Sequence, residues 1–221
     1  MLPELNEQAA RERIARNIAL DLKDGSLDNL GIGIPQLVAD YIPKDVKIII
    51  QTENGIIMAG PAKGGDDYHV IDAGGRPISI LPGGSIVGAD LSFAMMRGGH
   101  VDATVLGVLE VDGEGSLANW MVPGVRVPGM GGAMDLVTGA RRVYAATRHF
   151  NKDGSNTLVK NCAFPLTGYK VVDVIVTEYC VIKNIGGVMT LTQVAEDTVL
   201  DELLEKTEME LAVAEDITMM K

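Results

Sequence analysis

The chain has 221 residues, of which 47% are hydrophobic and 22% are charged, so it can bury a sizeable core and is not disordered throughout. Its net charge of −11 argues against a nucleic-acid partner, because binding to a phosphate backbone requires a basic surface. Two cysteines are too few for a disulfide framework, and the sequence contains neither a recognisable signal peptide nor an apolar run long enough to cross a membrane. We therefore expect one cytoplasmic domain over residues 1–221, without a membrane partner.

The first part of the chain alternates between helix and strand patterns. Apolar residues spaced by four predict an amphipathic helix at residues 6–24, capped by Gly25. Residues 27–30 predict a short strand, which turns at residues 31–35 into a helix with proline at its first position. The Val/Ile-rich run at residues 46–60 predicts a strand buried on both faces of a sheet. This alternation indicates an α/β protein with an open, mostly parallel sheet flanked by helices.

The remainder of the chain predicts shorter elements. A polar loop is expected at residues 61–69, and a helix at residues 198–208 is expected to close the fold. The other predicted elements are strand-and-turn segments at residues 70–75 and 78–84, helices at residues 90–96 and 133–136, strands at residues 103–111, 142–147 and 171–177, a turn at residues 112–115 and a hairpin at residues 184–190.

Glu53 is the main candidate for a catalytic residue. It lies within the stretch of residues 46–60, at the carboxyl end of its first Val/Ile run, and ligands of open α/β sheets bind beyond the carboxyl ends of the strands. Asn54 and Gly55 come next, a pair that allows a sharp turn and a close approach of substrate. A carboxylate in this position can act as a nucleophile without a base, because it is already ionised at neutral pH. The alternative is a solvated glutamate before an ordinary tight turn.

Two glycine pairs are candidates for binding negatively charged groups. Gly31 and Gly33 precede a predicted helix, where backbone N–H groups could cradle a phosphate or carboxylate. They could equally serve only the packing of helix against strand. Gly131 and Gly132 also precede a predicted helix, and their N–H groups could form an oxyanion hole. The alternative is a glycine hinge that binds no ligand.

The residues required by several other kinds of site are missing. His69, His100 and His149 lie far apart in the sequence, so a metal site is not expected and each histidine is interpreted as structural. There is no G-x-S-x-G serine elbow and no G-x-x-x-x-G-K-[ST] phosphate loop. The dinucleotide fingerprint lacks its third glycine, because Gln36 stands there. What remains is one carboxylate at a strand end, surrounded by glycine turns.

Five motifs that occur in the same order along the chain resemble family I CoA-transferases. The motifs are GIGIP at residues 31–35, TENG at residues 52–55, SFAMMRGGHVDATVLG at residues 92–107, LANWMVPG at residues 117–124 and GMGGAMDLV at residues 129–137. The similarity is to the small B (beta) subunit of the 3-oxoacid or butyrate–acetoacetate type. It extends from about Arg11 to the C-terminal helix and implies the CoA-transferase fold.

The resemblance also implies a mechanism. Glu53 attacks an acyl-CoA thioester to give an acyl-glutamyl anhydride, and the released CoA thiolate converts the anhydride into a glutamyl-CoA thioester. A second carboxylic acid then reverses these steps and leaves as the new acyl-CoA. Gly132 supplies a backbone N–H to the oxyanions, with a companion donor from the alpha subunit. The other substrate-binding and CoA-binding positions that the resemblance implies are Gly31, Gly33, Asn54, Gly55 and Gly131.

The implied substrates are CoA esters and short-chain carboxylic acids, with no tightly bound cofactor. The implied partner is the A (alpha) subunit of the CoA-transferase. Two alternatives remain: a different acid pair, such as butyryl-CoA with acetate, and a non-catalytic acyl-CoA-binding homologue. The chain departs from the family pattern at Asp28, where an apolar residue is usual, and at Arg148, where glutamate is typical. These departures bear on the substrate and the loops, because neither coincides with the two predicted catalytic positions.

Overall fold

The computed structural model describes residues 2–62, 69–125, 127 and 129–221. The helices are α1 (Glu7–Ala19), α2 (Ile34–Leu37), α3 (Ala89–Arg97), α4 (Ala133–Gly139) and α5 (Leu200–Lys206), with a 3-10 helix at Val38–Tyr41. The strands are β1 (Leu27–Leu30), β2 (Ile49–Gln51), β3 (Ile56–Gly60), β4 (Ser79–Ile86), β5 (Ala103–Gly107), β6 (Glu110–Asp112), β7 (Leu117–Ala118), β8 (Val143–Ala146), β9 (Leu158–Val159), β10 (Val174–Val176), β11 (Cys180–Ile185), β12 (Val188–Val194) and β13 (Ala212–Met219).

The strands of the described part form one large sheet and one small sheet. The large sheet has the order β13-β12-β11-β10-β8-β5-β1-β2-β3-β4, and the small sheet has the order β7-β6-β9. The central strands β2, β1, β5, β8 and β10 are parallel, whereas β3 and β4 on one side and β11 and β12 on the other are added as antiparallel hairpins. The predicted α/β architecture, an open and mostly parallel sheet flanked by helices, is confirmed.

Apolar side chains on the two faces of the large sheet form separate cores. Successive strand residues point to opposite faces, so Val105 packs into the core beneath α1, and its neighbour Leu106 packs into the core beneath α3, α4 and α5. Ile14 and Ile18 of α1 are fully buried in the first core. The parallel centre of the sheet is therefore covered on both sides, as its near-continuous apolar strands require.

Two predictions for the first part of the chain were wrong in detail. Helix α1 ends at Ala19, and Gly25 lies in the later turn before β1, where its φ of +79° requires the left-handed region. The expected strand at residues 46–60 is divided into β2 and the antiparallel β3. Ile49 and Ile50 of β2 are only half-buried, so this strand is not enclosed on both faces. The break between the two strands contains Glu53.

Two further predictions also need correction. The strand expected at residues 103–111 ends at Gly107, because the chain leaves the large sheet and continues as β6 of the small one. The chain does not finish with the helix α5 but with the edge strand β13. Most residues of β13 are exposed, so the strand lacks the apolar alternation that would reveal it in the sequence. The predicted loop at residues 61–69 falls largely on residues 63–68, which lie outside the described residues.

Asp28 is an unusual residue for the interior of this sheet. It is fully buried on β1, its Oδ2 accepts a hydrogen bond from the Ser26 hydroxyl, and its Oδ1 has no hydrogen-bond partner among the described residues. Burial raises the pKa of Asp28 from 3.8 to about 6, and the nearby charge of Asp102 adds to the effect. The ionised carboxylate therefore destabilises the folded state.

Replacing Asp28 with asparagine removes this titrating group, and we expect the variant to be more stable than the wild type above pH 7. The folded pKa is raised, so the folded state binds the proton more tightly, and the penalty grows as the pH rises from about 4 to about 6. We expect a gain of about 3 kcal/mol in the free energy of unfolding at pH 8, which falls to about 1 kcal/mol at pH 4.5. Urea unfolding at both pH values measures the free energy of unfolding. The control variant is Asp45→Asn, which changes an exposed carboxylate. A difference between Asp28→Asn and the wild type that does not depend on pH would contradict the raised pKa of Asp28.

Candidate active site

The parallel register of β1 and β2 places two candidate segments side by side at the carboxyl edge of the sheet. Asn29 of β1 pairs with Gln51 of β2, and two residues further along the two strands are Gly31 and Glu53. Neighbouring strands lie about 4.8 Å apart. The GIGIP and TENG motifs therefore meet at one edge, where open α/β sheets bind their ligands.

The turn that carries Glu53 is held by hydrogen bonds within residues 52–56. The N–H of Gly55 donates to the carbonyl of Thr52 at 2.9 Å, and the N–H of Thr52 donates to the carbonyl of Ile56 at 2.9 Å. Gly55 has a φ of +108°, and a Cβ at this position would clash with the carbonyl oxygen of Val87. Only glycine therefore fits this sharp turn. Its close neighbour is the backbone of Val87, and the approach of a substrate to Gly55 stays a prediction.

Asn54 is exposed and reaches away from the turn. Its amide donates a hydrogen bond to the carbonyl of Ile71 at 2.9 Å, which ties the turn to the following loop. In that loop, Oδ1 of Asp72 accepts hydrogen bonds from the N–H groups of Gly74 and Arg76. In this structure Asn54 therefore shapes the surroundings of Glu53, and its contact with substrate stays a prediction.

Gly131 and Gly132 lie directly against the Glu53 carboxylate. The N–H of Gly132 donates to Oε1 of Glu53 over a long N–O distance of 3.4 Å. A Cβ at Gly132 would come within 2.5 Å of Oε2, and a Cβ at Gly131 would lie 3.5 Å from Oε1. Gly131 has a φ of +52°, in the left-handed region. The structure thus brings together the two motifs that are 79 residues apart in sequence.

Gly31 and Gly33 have reasons of their own to be glycine. A Cβ at Gly31 would lie 3.0 Å from the carbonyl oxygen of Val105 and 3.2 Å from Leu106 Cδ2, so the turn packs tightly on β5. Gly33 has a φ of +91°, and its N–H donates to the side chain of Gln36. Packing therefore explains Gly31, whereas the positive φ explains Gly33, and the role of both in substrate binding stays a prediction.

A buried polar cluster beneath the Glu53 turn was missed in the sequence. The cluster consists of Asn29, Gln51 and Ser92, each less than 5% exposed. The Asn29 amide donates to Oε1 of Gln51 at 2.8 Å, and the Gln51 amide donates to Oγ of Ser92 at 2.8 Å. Only the position of Gln51, directly after three isoleucines, marked it as unusual.

Helix α3 connects this cluster to the Gly132 loop. A Cβ at Gly132 would lie 3.3 Å from the ring of Phe93, the residue after Ser92. Arg97 at the end of α3 forms a 2.5 Å ion pair with Asp135 in the first turn of α4. The two helices cross closely, because a Cβ at Gly139 of α4 would clash with the carbonyl of Met96.

His149 has the structural role expected for it. It is fully buried, its Nδ1 lies 3.2 Å from the Thr177 hydroxyl and its Nε2 lies 2.9 Å from the Thr207 hydroxyl. Burial lowers the pKa of His149 to about 3, so the imidazole is neutral at physiological pH. The described residues contain no group of three or more His, Cys, Asp or Glu placed to hold a metal ion.

Arg148, the other departure from the family pattern, forms part of a charged clamp. Its side chain bonds the buried Glu178 at 2.7 Å and Glu7 of α1 at 2.9 Å. Glu178 also accepts the N–H of His149 at 2.8 Å. The clamp fixes α1 to the carboxyl ends of β8 and β10, on the opposite side of β1 and β5 from Glu53.

No helix in the described part of the chain is long and apolar enough to cross a lipid bilayer.

Comparison with known proteins identifies the family to which this geometry belongs. The sequence profile of the family described as Coenzyme A transferase matches residues 11–206. The chain belongs to the coenzyme A transferase family. It is 48% identical over 208 residues to the beta subunit of the acetate CoA-transferase of Escherichia coli strain K12, a match that covers 94% of this chain and 96% of the relative. It is 44% identical to the B subunit of the probable succinyl-CoA:3-ketoacid coenzyme A transferase of Bacillus subtilis strain 168, over 94% of this chain and 97% of the relative.

Solved structures share the fold at low sequence identity. The E. coli O157:H7 acyl-CoA transferase matches with a TM-score of 0.77 and 17% identity; the match covers all of this chain and 45% of that one. Glutaconate CoA-transferase from Acidaminococcus fermentans matches with a TM-score of 0.70 and 18% identity over 96% of this chain and 88% of that one. The decarboxylase AibA/AibB shares the fold with a TM-score of 0.67, so the fold alone does not specify the reaction. Family membership confirms the predicted reaction class: the chain is a CoA-transferase enzyme.

Replacing Gly132 with alanine tests the contact between the two motifs. The added methyl group must displace the Glu53 carboxylate, because it would come within 2.5 Å of Oε2. We expect the rate of CoA transfer to fall about 100-fold, since misplacing a reacting group by about 1 Å costs this much. The matched control is Gly113→Ala, where a Cβ meets its nearest neighbour at 3.7 Å. Steady-state kinetics measure both variants, and equal rates for the two would show that the close approach is not required.

Proposed function

We propose that Glu53 is the nucleophile of a CoA-transferase that moves CoA between short-chain carboxylic acids, with CoA esters as substrates and no tightly bound cofactor. The observation that carries the proposal is the Glu53 carboxylate held against the N–H of Gly132 at the carboxyl edge of the sheet. An ionised carboxylate at that edge can attack an acyl carbon directly. Membership of the CoA-transferase family supplies the reaction class.

The reaction has two halves, and each half consists of two nucleophilic attacks. An oxygen of Glu53 attacks the thioester carbonyl of the acyl-CoA, the C–S bond breaks, and CoA leaves as its thiolate. The products of this step are an acyl-glutamyl anhydride and free CoA thiolate. The thiolate then attacks Cδ of Glu53, expels the first acid as its carboxylate and leaves a glutamyl-CoA thioester. The acceptor acid reverses both steps, so the thioester energy is conserved.

The position of Gly132 favours one of the two kinds of tetrahedral intermediate. When the thiolate attacks Cδ of Glu53, negative charge develops on an oxygen that belongs to Glu53 itself. The N–H of Gly132 already faces Oε1, so it is placed to stabilise that charge. One such donor is typically worth about 3 kcal/mol of barrier. The long distance in the free enzyme is consistent with a bond that tightens only as charge develops.

Relatives support the short-chain acid class. The relatives are named for acetate and for succinyl-CoA with 3-ketoacids, and they align over nearly their whole length. We infer that this chain acts on acids of the acetate, butyrate, acetoacetate and succinate class. An acid pair such as butyryl-CoA and acetate falls within the same proposal.

We also propose that a second chain of the alpha type completes the site. The E. coli relative is named as the beta subunit of its enzyme, and the chain spans 42% of the human mitochondrial relative, which is longer. Large apolar side chains near the Glu53 edge are strongly exposed in this chain: Ile32 is 68% and Ile86 is 64% exposed. A partner that covers them would supply the second oxyanion donor and exclude water from the anhydride.

We place the enzyme in the cytoplasm. Both cysteines, Cys162 and Cys180, are free thiols, and burial raises the pKa of each to about 12. Protonated and largely enclosed thiols of this kind suit a reducing compartment and resist oxidation.

The variant Glu53→Gln tests the nucleophile. The amide has nearly the same shape as the carboxylate but is a poor nucleophile, so we expect transfer to fall by at least about 10⁴-fold while the fold is retained. The control is Glu205→Gln, which removes an exposed carboxylate from α5 and should leave the rate unchanged.

Intact-mass spectrometry after incubation with butyryl-CoA or acetoacetyl-CoA gives the direct measurement. The wild type should gain the mass of CoA less water on the peptide that contains Glu53, and Glu53→Gln should gain nothing. Normal turnover by folded Glu53→Gln would contradict the proposal. Absence of an adduct from folded wild-type complex with every short acyl-CoA would favour a non-catalytic acyl-CoA-binding homologue.

The proposed second chain leads to a separate prediction. Purified without the alpha-type chain, this chain should show less than about 1% of the transfer rate of the reconstituted pair, because half of the oxyanion donors and the cover over Glu53 are missing. Titrating the alpha-type chain into a fixed amount of this one and following the rate measures the effect. A full rate from this chain alone would refute the requirement.

A further inference from the structure

The two backbone carbonyls that precede Glu53 both accept hydrogen bonds from buried side chains. The amide of Asn29 donates to the carbonyl of Gln51 at 3.1 Å, in addition to its bond with the Gln51 side chain. The hydroxyl of Ser92 accepts the Gln51 amide and donates to the carbonyl of Thr52 at 3.5 Å. The path from β1 through β2 to α3 therefore fixes the backbone immediately before Glu53 from both sides.

Gln51 and Ser92 make their side-chain hydrogen bonds to each other, to Asn29 and to the Thr52 carbonyl. Gln51 is 1% exposed and Ser92 is fully buried, so neither can exchange a lost partner for bulk water. Removing the Ser92 hydroxyl would leave the Gln51 amide without its acceptor. A buried amide in this state must shift to find another partner. Any shift of Gln51 is transmitted along two peptide bonds to Glu53.

The same helix also positions the oxyanion donor. Ser92 contacts the Glu53 turn, and its neighbour Phe93 lies against Gly132. Arg97, one turn further, pairs with Asp135 of α4, which begins directly after Gly132. Helix α3 therefore holds the nucleophile with one side chain and the oxyanion loop with the others. Helix α3 thus contacts both the residue that precedes Glu53 and the Gly132 loop.

We propose that Gln51 and Ser92 are positioning residues that set the geometry of Glu53 relative to Gly132 through α3. The proposal rests on the function proposed above for Glu53. It assigns to Gln51 and Ser92 a role that the resemblance to the family did not imply. Neither side chain touches the substrate; both act through the backbone of residues 51–53. Their contribution is therefore expected in the chemical steps and not in the binding of acyl-CoA.

The test compares Ser92→Ala with Ser92→Thr in the complex reconstituted with the alpha-type chain. Alanine removes the hydroxyl, whereas threonine keeps it. The matched control is Ser116→Ala. Ser116 lies in the turn between β6 and β7, is 1% exposed, and its hydroxyl accepts a hydrogen bond from the N–H of Lys170 at 3.4 Å. The measurements are kcat, KM for acyl-CoA, the melting temperature and the single-turnover rate at which the CoA adduct forms on Glu53.

For Ser92→Ala we expect kcat and the rate of adduct formation to fall by the same factor, about 10- to 100-fold. KM should change less than about threefold, and the melting temperature should change no more than in Ser116→Ala. Ser92→Thr should restore most of the lost rate. Gln51→Leu should resemble Ser92→Ala, and the double variant should be no slower than the slower single one, because both changes break one network.

Three outcomes would overturn the proposal. The first is a kcat for Ser92→Ala equal to that of Ser116→Ala. The second is a loss of rate that follows the loss of folded protein, which would indicate a structural role only. The third is a multiplicative effect in the double variant. A wild-type complex that forms no adduct would instead refute the function proposed for Glu53, and this inference with it.

Discussion

The structure depends on placing a charged side chain against bare backbone. The carboxylate of Glu53 occupies the space into which any side chain at residue 132 would extend, so the loop before α4 is compatible only with glycine. A carboxylate held in this way keeps one oxygen near an N–H donor and needs no neighbouring base. The absence of a Cβ, and not any added functional group, is therefore what allows the two motifs to meet.

The surrounding fold serves this contact by packing backbone closely at other points as well. Gly55 allows the Glu53 turn to lie against the carbonyl of Val87, and Gly139 allows α4 to cross α3 at the carbonyl of Met96. Gly55, Gly139 and Gly132 lie on different elements, yet each of these positions excludes a Cβ. At these positions glycine allows the site to be assembled from main chain in close contact.

Sequence patterns predicted what depends on local chemistry. The parallel centre of the sheet, the turn at residues 52–55 and the glycines before α4 could all be read from runs of apolar residues and from glycine spacing. No local pattern links Glu53 with Gly132, because the two residues lie far apart in the sequence. Their pairing was implied only by the resemblance to the family. The cluster of Asn29, Gln51 and Ser92 was missed since its partners come from three elements. Strand β13 was missed because its pairing, and not its composition, makes it a strand.

The ladder between β12 and β13 has a consequence for association. Leu191 pairs with Val213 and Gln193 with Thr218, so residues 214–217 of β13 bulge opposite the single residue 192. The exposed Glu215 and Asp216 lie in this bulge. An edge strand that is bent and negatively charged is a poor template for another strand. Although much of this edge strand is solvent-exposed, its bend and its negative charge protect it against edge-to-edge aggregation.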